Sequence, residues 1–522
     1  IGNEVGKQWG EWLNASAKNF ASIDNRDLGL TQDPGTKQSG GAYNAAITNI
    51  SYFGRLSYVL MDRYILTGTI RKDGSSNFGS GNRWGTFPSF AAAWRISEES
   101  FMDNVSSIQN LKLRLGWGQT GNAGNMTGKA IAALSAGGAY NFYGEGGHAG
   151  PFGGNRDRQP GWYAGLVDTN LKWETNEMLN IGLDVTFLED FDVTLDYFIK
   201  NTKDLLLTQQ IRATSGYTSI YTNYGEIQNK GFEFAIKYHK QVNDDFGFSV
   251  AVNGSTLKNE VKKMGEPLYS TCSANGAGTL DGSNVQAVGD PNGFKWGNHS
   301  ICKEGEAVGS FYGFKTDGII KNEAELNEYK AYLSSYDKDG NLIWGDSYGT
   351  KDVKIGDYRF KDINGDKAIT DEDKVILGNG FPALNYGITL GATYKNFDFN
   401  MTMNGVIGQD IFSYSAMRLS NMFASDDQTT VNMLKEVYED SFRDGKGSNA
   451  RLSLLDYNAN RRASDAWVKK GDYFRVSNLQ VGYTLPKEIG EKMSIQNARV
   501  YVCVSNLLLI SSYKKYGDPE VC

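Results

Sequence analysis

Residues 176–200 read NEMLNIGLDVTFLEDFDVTLDYFIK, and their alternation decides the fold. Leu179, Ile181, Leu183, Val185 and Phe187 share one face of an extended segment. After a turn at 188–190, Val193, Leu195, Tyr197 and Ile199 share it again. Asn180, Asp184, Thr186, Thr194, Asp196 and Lys200 lie opposite, a period of two in which one face requires apolar surroundings and the other water. Residues 385–405, NYGITLGATYKNFDFNMTMNG, repeat the pattern. Strands of about ten residues with an unbroken apolar face suit a membrane β-barrel, and a large soluble β-sandwich shows the same alternation.

Connection lengths separate the two. Alternating segments lie near 51–60, 62–71, 89–97, 111–118, 174–187, 191–200, 231–240, 246–256, 386–395, 397–406, 473–485 and 498–509. Short links (61, 98–110, 188–190, 241–245, 396 and 486–497) alternate with longer ones (72–88, 119–173, 201–230, 257–385 and 407–472). A sandwich has no reason to place every long link after the same strand direction, whereas outer-membrane barrels carry short periplasmic turns and long extracellular loops. The faces agree. Leu111, Leu113, Leu115 and Trp117 alternate with Lys112, Arg114 and two glycines, while Phe232, Phe234, Ile236 and Tyr238 alternate with Glu233, Ala235, Lys237 and His239. The expected fold is all-β, a transmembrane antiparallel barrel with Leu113, Leu183, Leu195, Phe234 and Met401 facing lipid. Short helices are expected inside the loops, at EAELNEYKAY from Glu323 and VNMLKEVYEDSF from Val431.

Composition excludes several other classes. Among 522 residues, 22% are charged and no run of some eighteen apolar residues occurs, which rules out a membrane-spanning helix but not strands that are half polar. With 62 Gly, 29 Tyr, 26 Phe and 10 Trp against 9 Pro, the chain suits many strands, tight turns and aromatic belts at two interfaces. A net charge of −7 without a basic cluster gives no case for nucleic acid. The four cysteines form no CxxC pair; Cys272 and Cys302 either close a loop of about thirty residues or stay as thiols.

Ordered blocks now point to a family. SYFGRLSYVLMDRYILTGTIRKDGSSNFG (51–79), NRWGTFPSFAAAWRISEESFM (82–102), LKLRLGWGQTGN (111–122), LKWETNEMLNIGLDVTFL (171–188) and YTNYGEIQNKGFEFAI (221–236) resemble the SusC/RagA-like TonB-dependent transporters of Bacteroidetes outer membranes. GDYRFKDINGDKAITDEDKVILGN (356–379), DYFRVSNLQVGYTLP (472–486) and ARVYVCVSNLL (498–508) continue the series in order. The resemblance implies a 22-stranded plugged barrel, of which residues 1–522 are read as a fragment that lacks the plug domain and the TonB box. It implies import of oligosaccharides or oligopeptides, driven by the TonB complex through that missing N-terminal region, with a SusD-like surface lipoprotein as lid and outer-membrane lipid around the wall. The links at 119–173, 257–385 and 407–472 are expected at one end, forming most of the lipoprotein contact.

One motif carries metal chemistry. DINGDKAITDED (362–373) sets oxygens at calcium-loop positions 1, 3, 5, 9 and 12 as Asp362, Asn364, Asp366, Thr370 and Asp373. Ala368 offers its carbonyl at position 7, and Ile369 is the apolar anchor at position 8. Lys367 replaces the usual Gly at position 6, and Asp373 the longer Glu at position 12. The readings are a structural Ca2+ site or an Asn-Gly turn in a solvated acidic loop. Trp162, Tyr163, Trp296, Tyr336, Trp344 and Tyr348 are candidate ligand platforms, or packing residues within large loops. His148, His239 and His299 make no ligand pair, and no GxSxG, HExxH or Walker A sequence is present, so the chain is not expected to be an enzyme. The rival readings are a non-transporting surface glycan-binding or adhesin barrel, and an outer-membrane barrel hydrolase.

Overall fold

A computed structural model describes residues 1–20, 31–33, 37–124, 134–135, 162–163, 166–211, 219–264, 267–271, 298–330, 353–366, 369, 371–419, 449–451, 460, 462–486 and 496–520. One antiparallel sheet dominates. In chain order its wall strands are β1 Gly2–Ser16, β2 Gln38–Leu60, β3 Tyr64–Ser75, β4 Trp84–Arg95, β5 Ile108–Asn122, β6 Glu174–Phe187, β7 Phe191–Lys203, β8 Glu226–Asn243, β9 Phe246–Thr256, β10 Leu384–Tyr394, β11 Phe397–Ile407, β12 Tyr473–Thr484 and β13 Arg499–Ser511. Each pairs with the next; Lys258–Lys263 continues beyond β9 against β8 and completes a 14-stranded sheet with β1 and β13 as its edges.

Each expected wall strand forms, and the links alternate in length with one exception: the link 76–83 is shorter than those at 96–107 and 485–498 on the other end. In a sequential antiparallel sheet all the long links therefore emerge at one end. The structure adds β1, which was not expected, and extends β2 back to Gln38.

Register assigns the faces. Leu113 lies opposite Leu183, Leu183 opposite Leu195, and Leu195 opposite Phe234, so the four form one transverse row. Met401 reaches the same face through Leu390, Val250 and Tyr238. None of the five is buried, and Ile181 and Ile236 on this face are 44% and 41% exposed, which a second sheet packed over them would not allow.

At the short-turn end the apolar face finishes in aromatic rings. Phe187 stacks on Phe191 at 4.8 Å, Phe191 on Tyr238 at 4.4 Å, and Phe397 meets Tyr483 at 4.7 Å. Tyr64 and Trp94 continue the girdle, and Glu99 accepts hydrogen bonds from the Tyr64 hydroxyl (2.6 Å) and the Trp94 indole (2.9 Å). At the other end Tyr52 stacks on Trp84, with the Lys72 ammonium 5.6 Å from the Trp84 ring. Trp84 and Trp94 stand on one face of β4, ten residues apart. At about 3.3 Å per residue and a tilt of about 40°, that separation spans about 25 Å, the height of a barrel's lipid-facing band. Between the girdles this face of β3–β12 carries no charged side chain apart from Lys72 and Lys230, both close to the upper girdle.

The opposite face carries the charge. Arg114 grips Asp184 with two bonds of 2.9 Å and reaches Asp196 at 3.0 and 3.1 Å. Gly182 lies on the strand between them, and a Cβ there would fall 2.5 Å from an Asp196 oxygen. The same device recurs where Arg499 pairs with Asp398 across Gly482. Each glycine clears the path for a cross-strand ion pair.

Candidate functional site: the body formed by the long connections

Links 257–383 and 408–472 fold together at the long-link end. Segments Leu268–Thr271, Asn298–Cys302, Ser310–Gly313 and Val375–Gly378 form a four-stranded sheet, and Asp410–Phe412 pairs with Val468–Lys470. The links meet where Phe314 bridges Ser464; the Phe314 amide donates to the Ala463 carbonyl at 2.9 Å, and the Asp465 amide returns to Phe314 at 3.1 Å. The Asp465 carboxylate also accepts from the amide and hydroxyl of Thr316, at 2.9 and 2.8 Å.

Apolar side chains from both links supply the core, among them Phe314, Ile320, Tyr358, Phe360, Met417 and Trp467. The Arg462 guanidinium lies 4.2 Å from the Phe360 ring centre and 5.0 Å from that of Phe314, which lets a cation enter an apolar core. The fully buried Asp357 carboxylate is met by Arg451 (2.8 Å) and by the Asn460 side-chain amide (3.1 Å), both from the other link. The Ser413 and Tyr513 hydroxyls, 3.0 Å apart, tie the body to the residues that follow β13.

The first expected loop helix is α1, Glu323–Lys330; at its start Asn322 accepts the Glu325 amide and the Glu325 carboxylate accepts the Lys321 amide, and Leu326 and Tyr329 are buried in the core. The helix expected from Val431 lies outside the described residues.

The acidic motif belongs to this body. Ile369 is buried in its core, as a position-8 anchor would be. Asp362 accepts the Gly365 amide (2.7 Å), Asn364 the Asp366 amide (2.9 Å), and buried Asp373 the Ile363 amide (2.7 Å), while Gly365 adopts φ +79. The backbone thus curls around its own oxygens. Ala368 and Thr370 lie outside the described residues, and among those described no three His, Cys, Asp or Glu side chains gather closely enough to hold a metal.

Trp162 and Tyr163 form a two-residue strand against Leu134–Ser135, without described side chains; Trp296, Tyr336, Trp344 and Tyr348 lie outside the described residues. Cys302 is a buried free thiol, and burial pushes its pKa up. Of the two readings for Cys272 and Cys302, Cys302 stands as a free thiol, and Cys272 lies outside the described residues.

His299 was set aside as a metal ligand, and the structure gives it a packing role. Its ring contacts Phe412 at 5.3 Å and Tyr414 at 5.5 Å, joining the two links, and burial lowers its pKa to about 4. An unfolded imidazole takes up its proton near pH 6.5, which the buried one refuses until about pH 4. Stability is therefore complete above pH 6.5 and falls as pH drops through that window, by up to about 3 kcal/mol. Hydrogen exchange of 298–330 should accelerate over that range in the wild type and much less in His299→Phe; parallel profiles would contradict the assignment.

A wide antiparallel wall with a lipid-facing band and a folded body over one end defines an outer-membrane β-barrel. The chain belongs to the TonB-dependent receptor family: the pattern described as "TonB dependent receptor-like, beta-barrel" matches residues 2–370. It is 30% identical over 474 residues to TonB-dependent receptor P3 of Formosa agariphila, covering 90% of this chain and 42% of the relative. To TonB-dependent receptor SusC of Bacteroides thetaiotaomicron it is 30% identical over 496 residues, covering 92% and 42%. The chain thus spans less than half of these relatives, which are named as receptors and not as enzymes. Its fold matches that of a solved RagAB peptide importer with a TM-score of 0.71 at 20% identity, covering 100% of this chain and 50% of that one.

Proposed function

We propose that the full-length protein imports an oligomeric nutrient, oligosaccharide or oligopeptide, through a plugged barrel powered by TonB, with a SusD-like lipoprotein as lid. The supporting observation is the fusion of two long links into one body with its own core. A lid that must open and close repeatedly needs a rigid rim to close upon, and independent floppy loops would not provide one. Trp162, Tyr163, Trp296, Tyr336, Trp344 and Tyr348 are proposed as faces for sugar rings or apolar peptide side chains.

Deletion of the gene should abolish uptake of one labelled class, oligosaccharide or oligopeptide, and loss of TonB should do the same. Surface binding that persists without uptake in the wild type would favour the adhesin reading, and turnover of the bound ligand the hydrolase.

Calcium is proposed as a brace for the rim. Asp362, Asn364, Asp366 and Asp373 would hold it, with the Ala368 carbonyl and Thr370 completing the set; hard oxygen donors suit that ion. An ion that binds only the folded loop stabilises it by about 2.7 kcal/mol at a hundredfold excess over Kd. Chelation should therefore lower the wild-type melting temperature, and Asp366→Ala should lower it without chelator and remove the response. A temperature unchanged by both would reject the brace.

A further inference from the structure

Lys230 of β8 stands on the lipid-facing side: it lies opposite Ile199, which shares a face with Leu195, and precedes the exposed Phe232 and the half-buried Phe234 on the same face of its own strand. Its partner on the other side is Lys258, so two lysines stand at directly opposite positions of neighbouring strands, like charges that repel. The Lys258 ammonium is 3.4 Å from Glu260, but that carboxylate is shared with Lys262 at 2.5 Å. Among the described residues no carboxylate pairs with Lys230, and the Lys258 side chain is 67% exposed.

Height identifies the missing counter-charge. Lys230 is eight residues above Tyr238 of the short-turn girdle, about 20 Å through the membrane at the same rise and tilt. That places it just below the upper girdle, where a lysine stem lies along apolar surface and lifts its charge to the headgroups.

We propose that Lys230 and Lys258 seat a phosphate of a phosphorylated glycolipid in the outer leaflet, with Phe232 against its acyl chains. The phosphate cancels the repulsion between the lysines and meets both by charge-assisted hydrogen bonds. The inference depends on the membrane-wall reading of the fold and not on transport.

The test uses the full-length protein in mild detergent, with retained lipid read by native mass spectrometry. The probes are bis-phosphorylated lipid A, its dephosphorylated form and phosphatidylglycerol. Lys230→Gln/Lys258→Gln should retain bis-phosphorylated lipid A about thirtyfold less than the wild type, from about fivefold per interfacial lysine. Dephosphorylated lipid should not distinguish the two proteins, and Lys237→Gln on the lumen face should behave as wild type. Should the double variant fold poorly, each single variant should show the fivefold loss. Equal retention by wild type and variants would overturn the seat, as would an equal loss with the dephosphorylated lipid. The same discrimination with phosphatidylglycerol would overturn the glycolipid assignment.

Discussion

Ile181→Arg is expected to cost about 2–4 kcal/mol of barrel stability in a bilayer, the penalty for a cation near the midplane of a lipid-facing strand. Ile181 lies on the apolar face of β6, between Phe187 of the lower girdle and Glu177 near the upper one. A guanidinium there has no carboxylate to meet and is too deep to reach either headgroup region. Asn180→Arg moves the same charge one residue along the strand to the lumen face, and is expected to stay within about 0.5 kcal/mol. Urea titration in liposomes, followed by the heat-modifiable shift on gels, measures both. Equal costs, or a larger cost at Asn180, would mean that the faces are assigned the wrong way round.

Arg114→Met should cost about 2–3 kcal/mol. It leaves Asp184 and Asp196, which share the guanidinium, facing each other without a cation. Breaking a fully buried pair costs about 3–5 kcal/mol, and the lower figure allows for solvent, since the Arg114 side chain is 29% exposed. Gly182→Leu should give a loss of similar size while leaving every charge in place, because its side chain occupies the space the guanidinium crosses. The two substitutions disrupt one structure, so the double variant should lose clearly less than the sum. Strict additivity would show that the glycine and the ion pair act independently.

The wall was legible because a bilayer imposes a strict rule on each strand. Between the girdles one face must be apolar, and β6 with β7 obeys it residue by residue. Where that rule lapses, so does the signal. The first part of β2, QSGGAYNAAITNI, is rich in glycine and alanine and shows little alternation, and in β1 glycines at 2, 6 and 10 dilute the pattern. Both strands are nonetheless held along their length by mutual hydrogen bonds that no side-chain pattern encodes. The loop body was hidden for another reason. Its core joins Phe314 to Trp467 and Asp357 to Asn460, contacts set by chain folding across more than a hundred residues, with no local period to announce them. Within it, the acidic motif and α1 were readable because each is a local device with fixed spacing.

The central claim is that the alternating segments form a membrane wall with odd-numbered residues of 179–199 in lipid. A nitroxide scan of 177–200 in proteoliposomes, one position at a time on a cysteine-free background, tests it most directly. Oxygen accessibility should peak at 179, 181, 183, 185, 193, 195, 197 and 199, with a water-soluble nickel complex favoured at the positions between. A flat profile, or nickel access at the odd positions, would contradict the account.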